Sequence, residues 1–414
     1  MSRAVVCQGI VLEMQVRRLL FAVLSALFLC PGFSAASDPV SFEGCVTSLG
    51  ERAQLAGVDT ALIQRVLPEL APLERVLELD AKQPEFVQTF GEYVHGRVTP
   101  GRVERGRALL KKYQTFFQEL SQRYGVPPRY LVAFWGLETN YGSYLGNVPT
   151  LNALATLACD PRRSEFFAAQ FVNALQIMQR EALSQETLRG SWAGAVGHTQ
   201  FMPSSYLRYA VDGDGDGSVD LWSSERDALA SGANFLRSLG WTPELRWGRP
   251  VVLPADFPYE LASLGEARSL HAWASLGVRQ LDGATVPALD VDASLLLPAG
   301  YLGPAFLVYE NFRVIMRWNH SQSYALSVGL LADRLAGAGP QLLPEETSAR
   351  LLSSKIEDAQ RALNALGHDA GEADGVLGSR TRAALRAFQL DHGLPADGYP
   401  NATTLETLGA VALP

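Results

Sequence analysis

Glu138 stands at the end of an apolar run in "AFWGLETNYGSYLGN" (Ala133–Asn147), and aromatics, amides and glycines follow it. A carboxyl group in apolar surroundings loses solvation of its ionised form, so its pKa rises and it can carry a proton at neutral pH as a general acid. The competing reading is a structural ion pair. Most glycosidases place two carboxylates across the scissile bond, yet the next acids in the chain are Asp160 and Glu165, and Asp160 sits beside Arg162 and Arg163. One acid suffices if the substrate supplies its own nucleophile, an acetamido oxygen or a sugar hydroxyl.

A second segment, "GSWAGAVGHTQFMPSSY" (Gly190–Tyr206), surrounds a few polar and aromatic groups with small residues. Glycines let a polymer approach the backbone, while Ser191, Gln200, Phe201 and Met202 offer hydrogen bonds and apolar contact. A tight helix crossing lined by small residues is the alternative, and His198 reads as structural. Further on, "DGDGDGSVDLWS" puts Asp212, Asp214 and Asp216 at positions one, three and five of an EF-hand-type loop, with Gly217 at six. Three converging aspartates repel unless a hard cation joins them, and Ca2+ is the expected ion, with Ser218 contributing its backbone carbonyl. Position twelve is Ser223 in place of the usual Glu, so another acid must close the shell. A solvated Asp-Gly loop is the alternative. A bound calcium would brace the site, because it activates water poorly compared with zinc, and the six histidines show no zinc spacing.

These residues need a helical body. From about residue 41 to 245, segments such as "RGRALLKKYQTFFQELSQRYG" and "EFFAAQFVNALQIMQREAL" repeat apolar residues at three- and four-residue spacing. In "YGVPPRYLVAFWGLETNYG" two prolines open a helix and Gly142 closes it, which sets Glu138 near a buried helix end. Short Pro- and Gly-punctuated apolar runs, including "FLVYENF", predict a β-rich insertion over about 248–312. A linker is expected over 337–347. Beyond it, "ADGVLGSRT" and "ADGYPNATT" form an internal echo in which Gly378 and Asn401 correspond, and both residue types tolerate the left-handed conformation of a tight turn.

The chain has 414 residues, 47% hydrophobic and 19% charged, with a formal charge of −8. This suits a globular protein of two or three domains and argues against a nucleic-acid surface or a polybasic membrane anchor. Arg17 and Arg18, the apolar run "LLFAVLSALFLC" and the small residues before Ala36 read as a secretory leader over 1–36, with Met14 an alternative start. The apolar run is short for a membrane span, and Leu29 before Cys30 does not suit a lipoprotein. Loss of the leader removes Cys7 and Cys30 and leaves Cys45 and Cys159, a candidate disulfide in an oxidising compartment, with two buried thiols as the alternative.

Through "GLETNYG", "GAVGHTQFMPSSY" and "VDGDGDGSVDLW", in this order over most of residues 41–335, the sequence resembles the B-type lytic murein transglycosylases, exported enzymes that cleave peptidoglycan glycan strands. The resemblance implies a mainly α, lysozyme-like catalytic domain over 37–336 with a small β insertion. It makes Glu138 the sole acid/base, protonating the oxygen between N-acetylmuramic acid and N-acetylglucosamine and then deprotonating the muramoyl 6-hydroxyl, which closes a 1,6-anhydro ring. It places Ser191, Gln200, Phe201 and Met202 at the sugars, Arg162 and Arg163 at carboxylates, Asn319 and Tyr324 in the cleft, and Asp227 as the acid that completes the metal loop over 212–227. Trp318 stands where the family often has Tyr, and Phe235 where a cleft Tyr occurs, so neither supplies that hydroxyl. Residues 352–410 are similar to a small peptidoglycan-binding domain, implying a three-helix module over 348–414. The expected setting is the periplasm, without a membrane anchor after leader cleavage; the expected partners are glycan strands and other cell-wall enzymes. A hydrolytic muramidase and a non-catalytic wall-binding protein are the rival functions.

Overall fold

The computed structural model describes residues 41–81, 88–339 and 352–412. The leader with Cys7, Met14 and Cys30, and all but the first three residues of the expected linker, lie outside them.

The helix Pro128–Thr139, which carries Glu138, is buried almost all round: Tyr130, Leu131, Val132, Ala133, Phe134, Trp135 and Gly136 are all interior. A helix without a polar face must be surrounded. The helices Pro100–Lys112, Gln114–Tyr124, Glu225–Ser238 and Gln322–Leu335 supply that jacket, sharing one apolar core with it. A second core joins Phe42–Leu55, Thr60–Val66, Glu74–Ala81, Thr150–Ala158 and Ser164–Arg180. There Cys45 and Cys159 are disulfide-bonded, with Cα atoms 5.9 Å apart across a sequence separation of 114. The bond ties the first helix to the end of Thr150–Ala158.

Strands β1 (Val148–Pro149) and β2 (Arg189–Gly190) form a two-stranded antiparallel ribbon. Strands β3 (Gly248–Val252), β4 (Arg268–Ser269), β5 (Arg279–Gln280), β6 (Asp292–Leu296) and β7 (Ala305–Val308) make one antiparallel sheet in the order β4-β6-β7-β3-β5. It has its own core around Trp273, Leu295 and Leu307. The expected β-rich segment ends early, because the helix Glu310–Trp318 begins two residues after β7 and sends Phe312 and Ile315 into the main helical core. Their three-residue spacing is helical, while the apolar run before them is continuous.

Residues Ser353–Ala365, Ser379–Asp391 and Ala402–Ala412 form the three helices of the carboxy-terminal module. Its internal echo is built on two buried glutamines. Gln360 donates to Asp374, Val376 and Thr381 and accepts from Gly375 N–H; Gln389 donates to Asp397, Tyr399 and Thr404 and accepts from Gly398 N–H. The left-handed residues are Gly375 (φ +75°) and Gly398 (φ +70°), whereas Gly378 has φ −77° and caps the following helix. The tight turn therefore lies at the Asp-Gly step and not at Gly378. The module is packed on the sheet lobe: Tyr301 N–H donates to Asp397 Oδ2 at 2.8 Å and Arg386 donates to Ala262 O at 2.7 Å.

Candidate active site

Left-handed geometry ends the Glu138 helix abruptly. Asn140, Tyr141 and Gly142 have φ of 49°, 60° and 75°, two of them non-glycine residues in a conformation costly for side chains with a Cβ. A Cβ at Gly142 would lie 2.2 Å from His198 Cε1. The turn is held by Thr139, whose hydroxyl donates to His198 O at 3.0 Å and accepts Gly142 N–H at 3.1 Å. Trp135 Nε1 donates to His198 Nδ1 at 3.0 Å. His198 is buried, and desolvation lowers its pKa. It is a neutral brace between the helix and the loop after β2.

Glu138 itself is partly buried. Tyr324 Oη donates to its Oε1 at 2.5 Å and Trp318 Nε1 donates to the same oxygen at 2.9 Å. Desolvation outweighs the two donors, which favour the ionised form, and the carboxyl is left raised to about 7. Oε2 accepts no hydrogen bond from the described residues, and no other carboxylate contributes to the shift. Tyr324 is fully interior at the start of Gln322–Leu335, and its phenol is held well above its ordinary pKa by burial and then by Glu138, so it stays a donor. Trp318, at the end of Glu310–Trp318, is fixed by Phe134, Phe201 and Phe235 at centroid distances of 4.5, 5.5 and 5.0 Å. Where a tyrosine hydroxyl was not to be expected, an indole N–H does the donating.

The other expected site residues fall into distinct groups. Asn319 follows Trp318, and its Oδ1 caps Ser321 N–H at 3.1 Å. Ser191 Oγ accepts Ala195 N–H at 3.0 Å, closing the loop after β2. Gln200, at φ 49°, donates to Leu145 O and Gly197 O at 3.0 and 2.9 Å, so its amide nitrogen is already committed to the wall of the site. Phe201 is 2% exposed, so its side chain backs Trp318 from the interior and does not line an open surface. Met202 is partly buried and caps the helix Pro203–Tyr209. Arg162 and Arg163 are exposed and share the carboxylate of Asp80, Arg162 at 3.1 Å; Arg162 also pairs with Asp160 at 2.9 Å.

A cavity of about 780 Å³ is lined by Tyr93, Leu264 and the Asn319–Ser323 turn together with Gly378, Arg382 and Tyr399 of the module. Glu138 is not in its wall; the turn that follows Trp318 is.

In the aspartate loop, carboxylate oxygens of Asp212, Asp214 and Asp227 lie within 4.8 Å of one another. Asp227 is 1% exposed, burial raises its pKa, and its two oxygens accept Gly213 N–H and Asp220 N–H, both at 2.8 Å. Among the described residues none of the three pairs with a basic side chain. Asp216 is outside this group, because its Oδ1 accepts both the N–H and the hydroxyl of Ser218 at 2.8 Å. An all-oxygen, acid-rich trio with one member desolvated suits a hard divalent cation.

A family model described as "Transglycosylase SLT domain" matches residues 41–333. The chain belongs to this transglycosylase family. Residues 353–408 match a second model, "Putative peptidoglycan binding domain". Membrane-bound lytic murein transglycosylase B of Escherichia coli K12 is 33% identical over 302 residues, which cover 69% of this chain and 80% of that protein. The crystal structure of SltB3 from Pseudomonas aeruginosa in complex with NAG-anhNAM-pentapeptide superposes with a TM-score of 0.85 at 43% identity, covering 89% of this chain and 99% of that one. Escherichia coli Slt35, solved in complex with calcium, gives a TM-score of 0.62 at 32% identity over 70% and 92% of the two chains. This SLT-family chain is thus a lytic transglycosylase, a peptidoglycan-cleaving enzyme with a peptidoglycan-binding module, and the lysozyme-like fold and the resemblance read from its motifs agree with these relatives.

Proposed function

We propose that Glu138 alone performs both proton transfers in breaking the bond between N-acetylmuramic acid and N-acetylglucosamine. Oε1 is held by Tyr324 and Trp318, which leaves Oε2 to carry the mobile proton. Oε2–H protonates the glycosidic oxygen as the C1–O bond breaks. The resulting carboxylate then takes the proton of the muramoyl 6-hydroxyl as O6 bonds to C1, so the sugar closes a 1,6-anhydro ring and the acid is regenerated. A pKa near 7 balances the two duties, since the group must give and take one proton at the same pH. The observation that carries this reading is a desolvated carboxylic acid that no second carboxylate influences. Among the described residues no second carboxylate acts on the acid, which argues against two-carboxylate hydrolysis. Replacing Glu138 by Gln, which keeps an oxygen for Tyr324 and Trp318 but cannot transfer the proton, should abolish release of anhydro-ended fragments from murein sacculi. Continued release would remove the mechanism.

Ser191, Met202 and Asn319 would meet the glycan from the loop after β2 and the turn after Trp318, with Gln200 and Phe201 shaping the wall. Asp212, Asp214 and Asp227 would hold calcium, joined by Asp216 and the Ser218 carbonyl if that loop turns inward. The ion would supply charge neutralisation. Its effect would reach the acid through packing: Tyr206 donates to Val219 O at 2.6 Å and His198 N–H donates to Leu221 O at 2.9 Å, and His198 braces the Glu138 helix. The leader sequence, the Cys45–Cys159 bond and the wall substrate together support work in the periplasm.

A further inference from the structure

A second pocket, of about 470 Å³, opens where the sheet lobe meets the ends of the Glu138 helix's neighbours. Its floor is Arg249 on β3, 8% exposed. Arg249 Nε donates to Tyr309 Oη at 2.6 Å and Nη1 donates to Gln280 Oε1 at 3.3 Å. Both partners are neutral, and no carboxylate among the described residues pairs with this cation. Tyr309 accepts from Arg249, so its own hydroxyl proton is free to point into the pocket that both residues line. Burial holds that phenol above its ordinary pKa, which keeps the proton in place.

Arg129 and Arg246 line the same space. Asp333, a buried acid that also lines the pocket, is occupied: its Oδ2 accepts from Arg246 at 2.9 Å and from Trp247 Nε1 at 3.1 Å. Glu244 is exposed at the rim. A desolvated guanidinium whose only partners are neutral is costly unless an anion completes it, and its planar fork suits a carboxylate. Leu245, Val291 and Ala336 give the pocket an apolar side, which a methyl-bearing residue would use and a free phosphate would not. By contrast, Arg162 and Arg163 are already neutralised by Asp80 and Asp160.

We infer that the Arg249–Tyr309 pocket is a carboxylate site that captures the free carboxyl terminus of a peptidoglycan stem peptide, apart from the glycan cleft at Glu138. The assignment rests on the peptidoglycan substrate proposed above. Arg249 and Tyr309 supply the donors, Arg129 further positive charge, and the aliphatic wall the seat for the terminal side chain.

Binding of sugar-free stem pentapeptide to the full-length protein, by calorimetric titration, tests this without requiring cleavage, so its failure is separable from failure of the Glu138 mechanism. The acid form should bind at least ten-fold more tightly than the same peptide with a carboxy-terminal amide. Arg249→Gln should lower the affinity for the acid form at least ten-fold, and Arg129→Gln, at a less buried position that is safer for folding, should lower it several-fold. Equal binding of acid and amide, or unchanged affinity in Arg129→Gln and a folded Arg249→Gln, overturns the site. Inorganic phosphate or an unrelated acid-terminated peptide binding as tightly as the stem peptide overturns the assignment of the ligand.

Discussion

Two hydrogen bonds converge on one oxygen of Glu138, and their removal has a definite sign. Both favour the ionised carboxyl, so Trp318→Phe or Tyr324→Phe should raise its pKa. A hydrogen bond to a charged group is worth roughly 1.5–3 kcal/mol, which corresponds to roughly one pH unit or more. The alkaline limb of kcat/KM, set near pH 7 by loss of the proton, should therefore move upward while kcat falls. A limb that stays in place would show that the indole and phenol do not touch the acid in solution. The same burial carries a stability cost. Glu138 has a folded pKa of about 7, raised from 4.5, so the destabilisation is absent below the lower value, grows as pH rises between the two and is complete above the upper one. Glu138→Gln should then be more stable than the parent at pH 8, by up to about 3 kcal/mol, with the gain gone at pH 4 in thermal or denaturant melts. The burial of the acid was legible in the sequence, whereas Tyr324 entered only through the family resemblance, as a cleft residue and not as a donor to Glu138. Trp318 was not, because its place read as a missing hydroxyl when the need was for any donor; Phe201 read as a surface contact because a segment's small residues say little about which aromatic turns inward.

Among the elements, the aspartate loop and the disulfide each hold a piece of the frame. Asp212, Asp214 and Asp227 crowd three carboxylates together, so chelation with EGTA should lower the melting temperature, and Asp227→Asn should weaken the calcium response at least ten-fold in a titration followed by melting temperature. A melting curve indifferent to calcium would mean that the loop holds none. Reducing Cys45–Cys159 frees a loop of 114 residues and should cost about 4–5 kcal/mol in the chain-entropy limit; denaturant unfolding with and without reductant measures it. Helix periodicity revealed the helical body, and three alternate aspartates revealed the loop. The turn of Asp216 onto Ser218, away from the trio, was hidden, since spacing fixes which residues can converge but not which of them satisfy their own backbone first. The paired glutamines of the module escaped for a different reason: Asp374 to Thr381 and Asp397 to Thr404 keep one spacing, but Gln360 and Gln389 precede their turns by different lengths of chain.

At the scale of the molecule, the catalytic lobes, the sheet lobe and the module form one compact unit from residue 41 onward. The wall-binding module is docked through Asp397 and Arg386, and a cavity of about 780 Å³ is shared between it and the turn that follows Trp318. The existence of each domain could be read from motif order and turn chemistry. Their docking could not, because it depends on single polar contacts such as Tyr301 to Asp397 that leave no periodic trace. In the proposed mechanism the whole arrangement serves an acid that works without a second carboxylate and without water as nucleophile. Digestion of murein sacculi in H2¹⁸O, with mass spectrometry of the released muropeptides, addresses that directly. The account predicts 1,6-anhydro ends free of ¹⁸O; reducing muramic ends that carry the label at C1 would contradict it.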